Sequence, residues 1–159
     1  MYESLVIQVA RHPSESEEYL VARVLAYALE FTEGIAFSRG LSDADEPAIA
    51  VRDLTGSIRA WIDVGTPDAI RLHKACKAAP RVVVYTHKDP SQFLARLAGE
   101  RIHRAAAIEI YAIDRRFVGA VVARLDRRMG FALSVAEREL TLSIGTVTLT
   151  GAVVRWPLG

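Results

Sequence analysis

A single cysteine, Cys76, in 159 residues leaves no partner for a disulfide within the chain, which excludes a small secreted scaffold held by cross-links. No apolar run approaches the roughly 18 residues that a membrane-spanning helix needs. The N-terminus lacks a basic stretch followed by an apolar core, so no signal peptide is expected and the location is expected to be cytoplasmic, with no membrane partner. Net charge is also scarce: 20 Lys and Arg against 19 Asp and Glu give +1. No global field therefore draws the protein to nucleic acid, and any such contact must come from a local basic patch. Repeats, low-complexity segments and linker-like shifts in composition are lacking too. The length suits one domain spanning residues 1–159.

What is present is material for a core, since 51% of residues are hydrophobic and only 25% are charged. Residues 2–9 alternate, with Leu5, Ile7 and Val9 on one side, and read as a strand. Ser14 and Glu17 have the spacing of a capping box. Leu20, Val21, Val24, Leu25, Ala28 and Leu29 then form a helical stripe, and Gly34 is expected to stop the helix. Short strands are expected at 35–39, 48–54 and 57–64, the last two joined by a Thr55-Gly56 turn as a hairpin. In the third, Ile58, Ala60, Ile62 and Val64 face one way, and Arg59, Trp61 and Asp63 the other.

Thr66, Pro67 and Asp68 favour a helix start, and that helix is expected to run to about Ala79. Residues 81–86 are nearly all apolar, as in a central strand covered on both faces. Asp89-Pro90 caps a helix to about Ala98, residues 106–113 form a strand, and Asp114 caps a helix through Asp126. Residues 131–135, 140–144 and 147–154 read as closing antiparallel strands. The strand–helix–strand crossover at 57–86 requires a parallel pair, while the hairpin before it is antiparallel. The expected fold is therefore α/β (α+β-like), a mixed sheet flanked by helices.

Ligands of α/β sheets bind at the carboxyl ends of central strands. Asp63 stands at such an end, two residues before Gly65, and is expected to enter a polar cleft. Asp45 lies in the turn before the preceding strand, Glu17 and Glu18 in the first turn of the capped helix. His73, Lys74 and Lys77 lie on the helix after Asp63. Two converging carboxylates suit Mg²⁺ or Mn²⁺, hard cations that take oxygen ligands. A nearby lysine can neutralise charge developing on a phosphodiester. The same acids also suit a cap-and-turn network without chemistry, and helix lysines ordinarily face solvent.

Four fragments in order carry a resemblance: ARHPSESEE at 10–18, FSRGLSDADEP at 37–47, WIDVGTPD at 61–68 and KACK at 74–77. Together they resemble the YaeQ family. The likeness covers most of residues 9–90 and weakens toward the C-terminus. It implies a fold like the PD-(D/E)XK nuclease core and a metal-dependent phosphodiesterase acting on nucleic acid. By this resemblance Glu18 is the helix acid, and Asp45 and Asp63 are the strand acids that bind Mg²⁺ or Mn²⁺. The superfamily's lysine stands two residues after the second acid, where this chain has Gly65. The resemblance implies that Lys74 supplies the amine from the next helix. The resemblance also implies a further strand in family members ahead of the one that starts this chain, so Leu5 to Val9 are expected to form a partly exposed edge. The alternative is a nuclease-fold binding or regulatory module without catalysis, to which the glycine at 65 and the near-neutral charge point.

Arg11, Arg39 and Lys77 are candidates to hold phosphate. For Arg39 a surface ion pair weighs equally, as does a helix-start hydrogen bond for His12. Cys76 is expected to be a small buried residue, and Trp61 to pack under a helix rather than stack on a base. His73 and His87 do not form a zinc pattern. Arg115, Arg116, Arg124, Arg127 and Arg128 make a basic helix surface expected to be solvated.

Overall fold

The Ser16 side chain accepts the Tyr19 amide hydrogen at 3.1 Å and so fixes the start of the first helix, α1 (Glu17–Leu29). The cap is thus Ser16, two residues beyond the Ser14 expected from the capping-box spacing. The computed structural model describes residues 16–38, 45–124, 132–136, 138–144 and 146–158. The strand expected at 2–9, and with it Ser14, Arg11, His12, Arg39, Arg127 and Arg128, lies outside the described residues.

After α1 come β1 (Ile35–Phe37), β2 (Ile49–Arg52), β3 (Ile58–Val64), α2 (Ala69–Ala78), β4 (Arg81–Thr86), α3 (Pro90–Leu97) and β5 (Glu109–Ile113). The chain continues with α4 (Arg115–Val122), β6 (Ala132–Ala136), β7 (Glu139–Ile144) and β8 (Val147–Trp156). The eight strands follow the order β1-β2-β3-β4-β5-β8-β7-β6. The β3–β4 and β4–β5 pairs are parallel and the remaining pairs antiparallel, which makes the sheet mixed as expected. β8 is ten residues long and serves two partners. Its first part pairs with β7, and Val153 to Trp156 pair with β5, so one strand carries the sheet around a bend.

Alternation along β3 sorts the core onto two faces. Ala60, Ile62 and Val64 join Val83 and Tyr85 of β4 under α1 and α4. Trp61 joins Val82 and Val84 under α2 and α3, with Leu72, Cys76 and Phe93. Trp61 is 1% exposed, so it packs beneath helices and is not available to a base. Cys76 is likewise buried, and burial pushes its thiol pKa up, away from a reactive thiolate.

Several boundaries differ from expectation for local reasons. α1 ends at Leu29, with Glu30 as its cap, rather than at Gly34. Gly34 instead serves the β1–β2 pair: its φ is +89°, and a Cβ there would lie 2.1 Å from the Arg52 carbonyl oxygen. The buried line of α1 runs through Val21, Ala22, Leu25 and Ala26, one position off the predicted stripe, because the alanines let the helix approach the sheet. Arg23 is buried beside them with its guanidinium 5.1 Å from the Phe37 ring centre. Asp68, not Thr66, caps α2 through the Arg71 amide. Residues 105–107 form a 3-10 turn, so β5 begins at Glu109 rather than 106.

The far end of the sheet is tied to α1 by a polar network. Arg81 donates to Glu30 at 2.6 Å and to Glu109 at 2.7 Å, and the Tyr85 hydroxyl donates to Glu30 at 2.5 Å. This holds the carboxyl end of α1 on the starts of β4 and β5 and leaves its amino end at the opposite edge.

Candidate functional site

β3 ends beside its parallel neighbour β4, with Asp63 opposite Val84 and the Gly65 amide bonded to the Tyr85 carbonyl at 2.9 Å. Gly65 has φ +93°, a conformation that non-glycine residues rarely adopt, and the Tyr19 ring of α1 lies against it. Backbone geometry thus favours glycine at position 65.

Asp63 is 2% exposed. It does not open onto a free cleft, as expected, because Arg71 covers it. Arg71 Nε donates to Asp63 Oδ2 at 2.7 Å and Nη2 to Oδ1 at 3.0 Å, a two-pronged pair. Asp63 Oδ1 also accepts the Ala48 amide hydrogen at 3.3 Å. The same Nη2 donates to the Glu46 carbonyl at 2.7 Å, and the guanidinium lies 5.5 Å from the Trp61 ring centre. Burial works against the Arg71 charge, but its hydrogen bonds and attraction to Asp63 outweigh this and raise its pKa.

One turn along α2, Lys74 makes an exposed ion pair with Asp45. The lysine's hydrogen bond and charge hold the Asp45 carboxyl below the ordinary carboxylate range. Helix side chains lean toward the helix N-terminus, so residues in the first turns of α2 reach back over the end of β3. That is how Arg71 grips Asp63 and the residue-46 carbonyl while Lys74 grips Asp45. Lys77 follows one further turn on and is exposed.

α2 thus pairs Arg71 with Asp63 and, one turn on, Lys74 with Asp45. Glu18 is exposed in the first turn of α1, and among the described residues no hydrogen bond or ion pair joins it to Asp45, Asp63 or Lys74. Its charge acts instead on His87, just past the end of β4. His87 is 5% exposed and its Nδ1 has no hydrogen-bond partner. Burial lowers its pKa, Lys88 and Arg115 push the same way, and Glu18 opposes them. His73 is engaged elsewhere, its Nδ1 accepting the His103 amide hydrogen at 2.9 Å.

The donor types at Asp45 and Asp63 fit a hard divalent cation, whereas Arg71 and Lys74 now neutralise both acids. Among the described residues no three His, Cys, Asp or Glu side chains are grouped to hold a metal. Sequence reasoning passed over Arg71. The usable signal was a first-turn arginine on the helix that follows a strand-end acid.

Comparison with known proteins gives consistent matches. A family described as "YaeQ protein" matches residues 1–153. The uncharacterised protein YaeQ of Escherichia coli K12 is 29% identical over 151 residues, which span 94% of this chain and 83% of that protein. The crystal structure of a YaeQ protein from Pseudomonas syringae superposes with a TM-score of 0.84 at 27% identity, covering 98% of this chain and 86% of that one. The YaeQ protein of Xanthomonas axonopodis pv. citri gives 0.82 at 31% identity, covering 95% and 86%.

Proposed function

The chain belongs to the YaeQ family, and from that premise we propose that the cluster of Asp45, Asp63 and Lys74 is a nuclease-type site that hydrolyses phosphodiesters of nucleic acid with Mg²⁺ or Mn²⁺. The reading includes a PD-(D/E)XK-like core for the mixed sheet. The observation that carries it is the Lys74–Asp45 pair: an amine from the following helix reaches back to the first strand acid. That is the reach required when glycine holds the usual lysine position.

In this reading Asp45 and Asp63 hold the cation. When bound, the metal polarises the phosphodiester and lowers the pKa of an attacking water. Lys74 leaves Asp45 and places its charge against the phosphoryl oxygens. Glu18, next to Tyr19 at the strand end, orients water. Lys77, with Arg11 and Arg39, holds flanking phosphates without reading bases.

The test is incubation of the protein with plasmid, single-stranded DNA and RNA in Mn²⁺. Lys74→Met changes an exposed side chain and should leave folding intact while slowing cleavage about 100-fold or more. Absence of any cleavage lost in both Lys74→Met and Asp63→Ala would sink the enzyme reading. A second reading, a nuclease-fold binding or regulatory module without turnover, draws on the grip of Arg71 on both Asp63 oxygens and on Gly65. It expects Mn²⁺ or nucleic-acid binding in calorimetry with no product.

A further inference from the structure

We propose that Arg71 is a built-in counter-ion that closes Asp63 to divalent cations until it is displaced. This deepens the reading of Asp45 and Asp63 as a cation site and rests on it.

The two acids are not equally available. The Asp45–Lys74 pair is exposed on both sides, with side chains 74% and 54% accessible. Exposed pairs of this kind exchange readily, since water and salt compete with them. Asp63 is different: its side chain is 3% accessible and meets a planar fork donating to both oxygens. Removing Arg71 with nothing in exchange would leave a buried carboxylate uncompensated. A divalent cation is a fit replacement, because it restores positive charge at the same oxygens.

Arg71 is also placed to be exchanged. Its side chain is 25% accessible against 3% for that of Asp63, so of the two it is the one that solvent reaches. The Glu46 carbonyl and the Trp61 ring help to hold it in the closed position. Glu46 adjoins Asp45, so release of Arg71 frees the backbone of the segment that carries the other acid. The consequence is weak cation binding in the resting protein, strengthened when Arg71 is displaced.

The test is calorimetric titration of the full chain with MnCl₂, after circular dichroism shows that each variant is folded. Arg71→Met should bind Mn²⁺ at least about tenfold more tightly than the unmodified chain. Arg71→Gln, which keeps hydrogen-bonding capacity without charge, serves the same purpose if the methionine variant does not fold. Arg71→Lys keeps the charge and should fall between. Asp63→Asn combined with Arg71→Met should lose the gain. If both neutral variants fold and bind Mn²⁺ no more tightly than the unmodified chain, while Asp45→Ala still weakens binding, a cation site exists that Arg71 does not guard. The proposal then falls and the proposed function stands. No Mn²⁺ binding in any variant overturns both.

Discussion

Asp63 and Arg71 form a pair whose cost of disruption follows from burial. Arg71→Met leaves the carboxylate with the Ala48 amide as its remaining partner among the described residues and should destabilise the fold by about 3–5 kcal/mol. Asp63→Asn in the same chain removes the stranded charge, and urea unfolding should show much of the loss recovered. A double variant as unstable as the single one would show that the pair matters through packing instead. His87 makes a separate prediction. Its folded-state pKa lies below the ordinary 6.5, so the unfolded chain takes up the proton first as pH falls. Its contribution is therefore complete above about pH 6.5 and is lost as pH drops toward the folded-state value. His87→Gln should shrink the difference in melting temperature between about pH 7.5 and pH 5.5. An unchanged difference would place that pH dependence on other groups. At this scale the sequence made Asp63 and Asp45 legible, since strand ends and turns are visible locally. Arg71 was not, because its role depends on the angle at which α2 crosses β3.

Helix α2 is the element that assembles the site, and it is held at both ends. Asp68 caps its start, and Arg104 donates to the Cys76 and Ala79 carbonyls at its finish. Asp68→Ala should cost about 1 kcal/mol and loosen the turn that carries Arg71. On the other face α4 lies so close to β8 that a Cβ on Gly151 would fall 2.5 Å from the Phe117 Cβ. Gly151→Ala should therefore cost about 1–3 kcal/mol by overpacking, read as a lower urea midpoint at unchanged slope. Most elements were legible from alternation along β3, the apolar run of β4, and the aspartate caps of α3 and α4. The Thr55-Gly56 turn of the β2–β3 hairpin was also visible, although β2 ends at Arg52 and Asp53 opens the turn, accepting hydrogens from Thr55 and Ser57. The placement of β8 between β5 and β7 was not. Local pattern marks a strand but does not name its partners, and β8 divides its length between two. The cap at Ser16 was missed because only Ser14 has a glutamate three residues on, whereas Ser16 has Tyr19 at that spacing.

Across the whole molecule, positive and negative charges nearly cancel, so the nucleic-acid contact proposed here would depend on local cations rather than on net charge. If Lys74, Lys77, Arg11 and Arg39 make the phosphate contacts, log affinity for single-stranded DNA should fall with log salt at a slope of roughly −3, at about 0.7 per neutralised phosphate. A much steeper slope would bring in the arginines of α4. Among the described residues no helix is long and apolar enough to cross a membrane. The two-faced core fixes which helix covers Asp63, and that helix supplies the arginine that pairs with it. If Asp45 and Asp63 form one cation site that Arg71 closes, anomalous diffraction from a crystal soaked in Mn²⁺ should show a peak between the two carboxylates, within coordination distance of their oxygens and with Arg71 turned away from Asp63. Arg71 still holding both Asp63 oxygens, with no peak beside them, would contradict such a site.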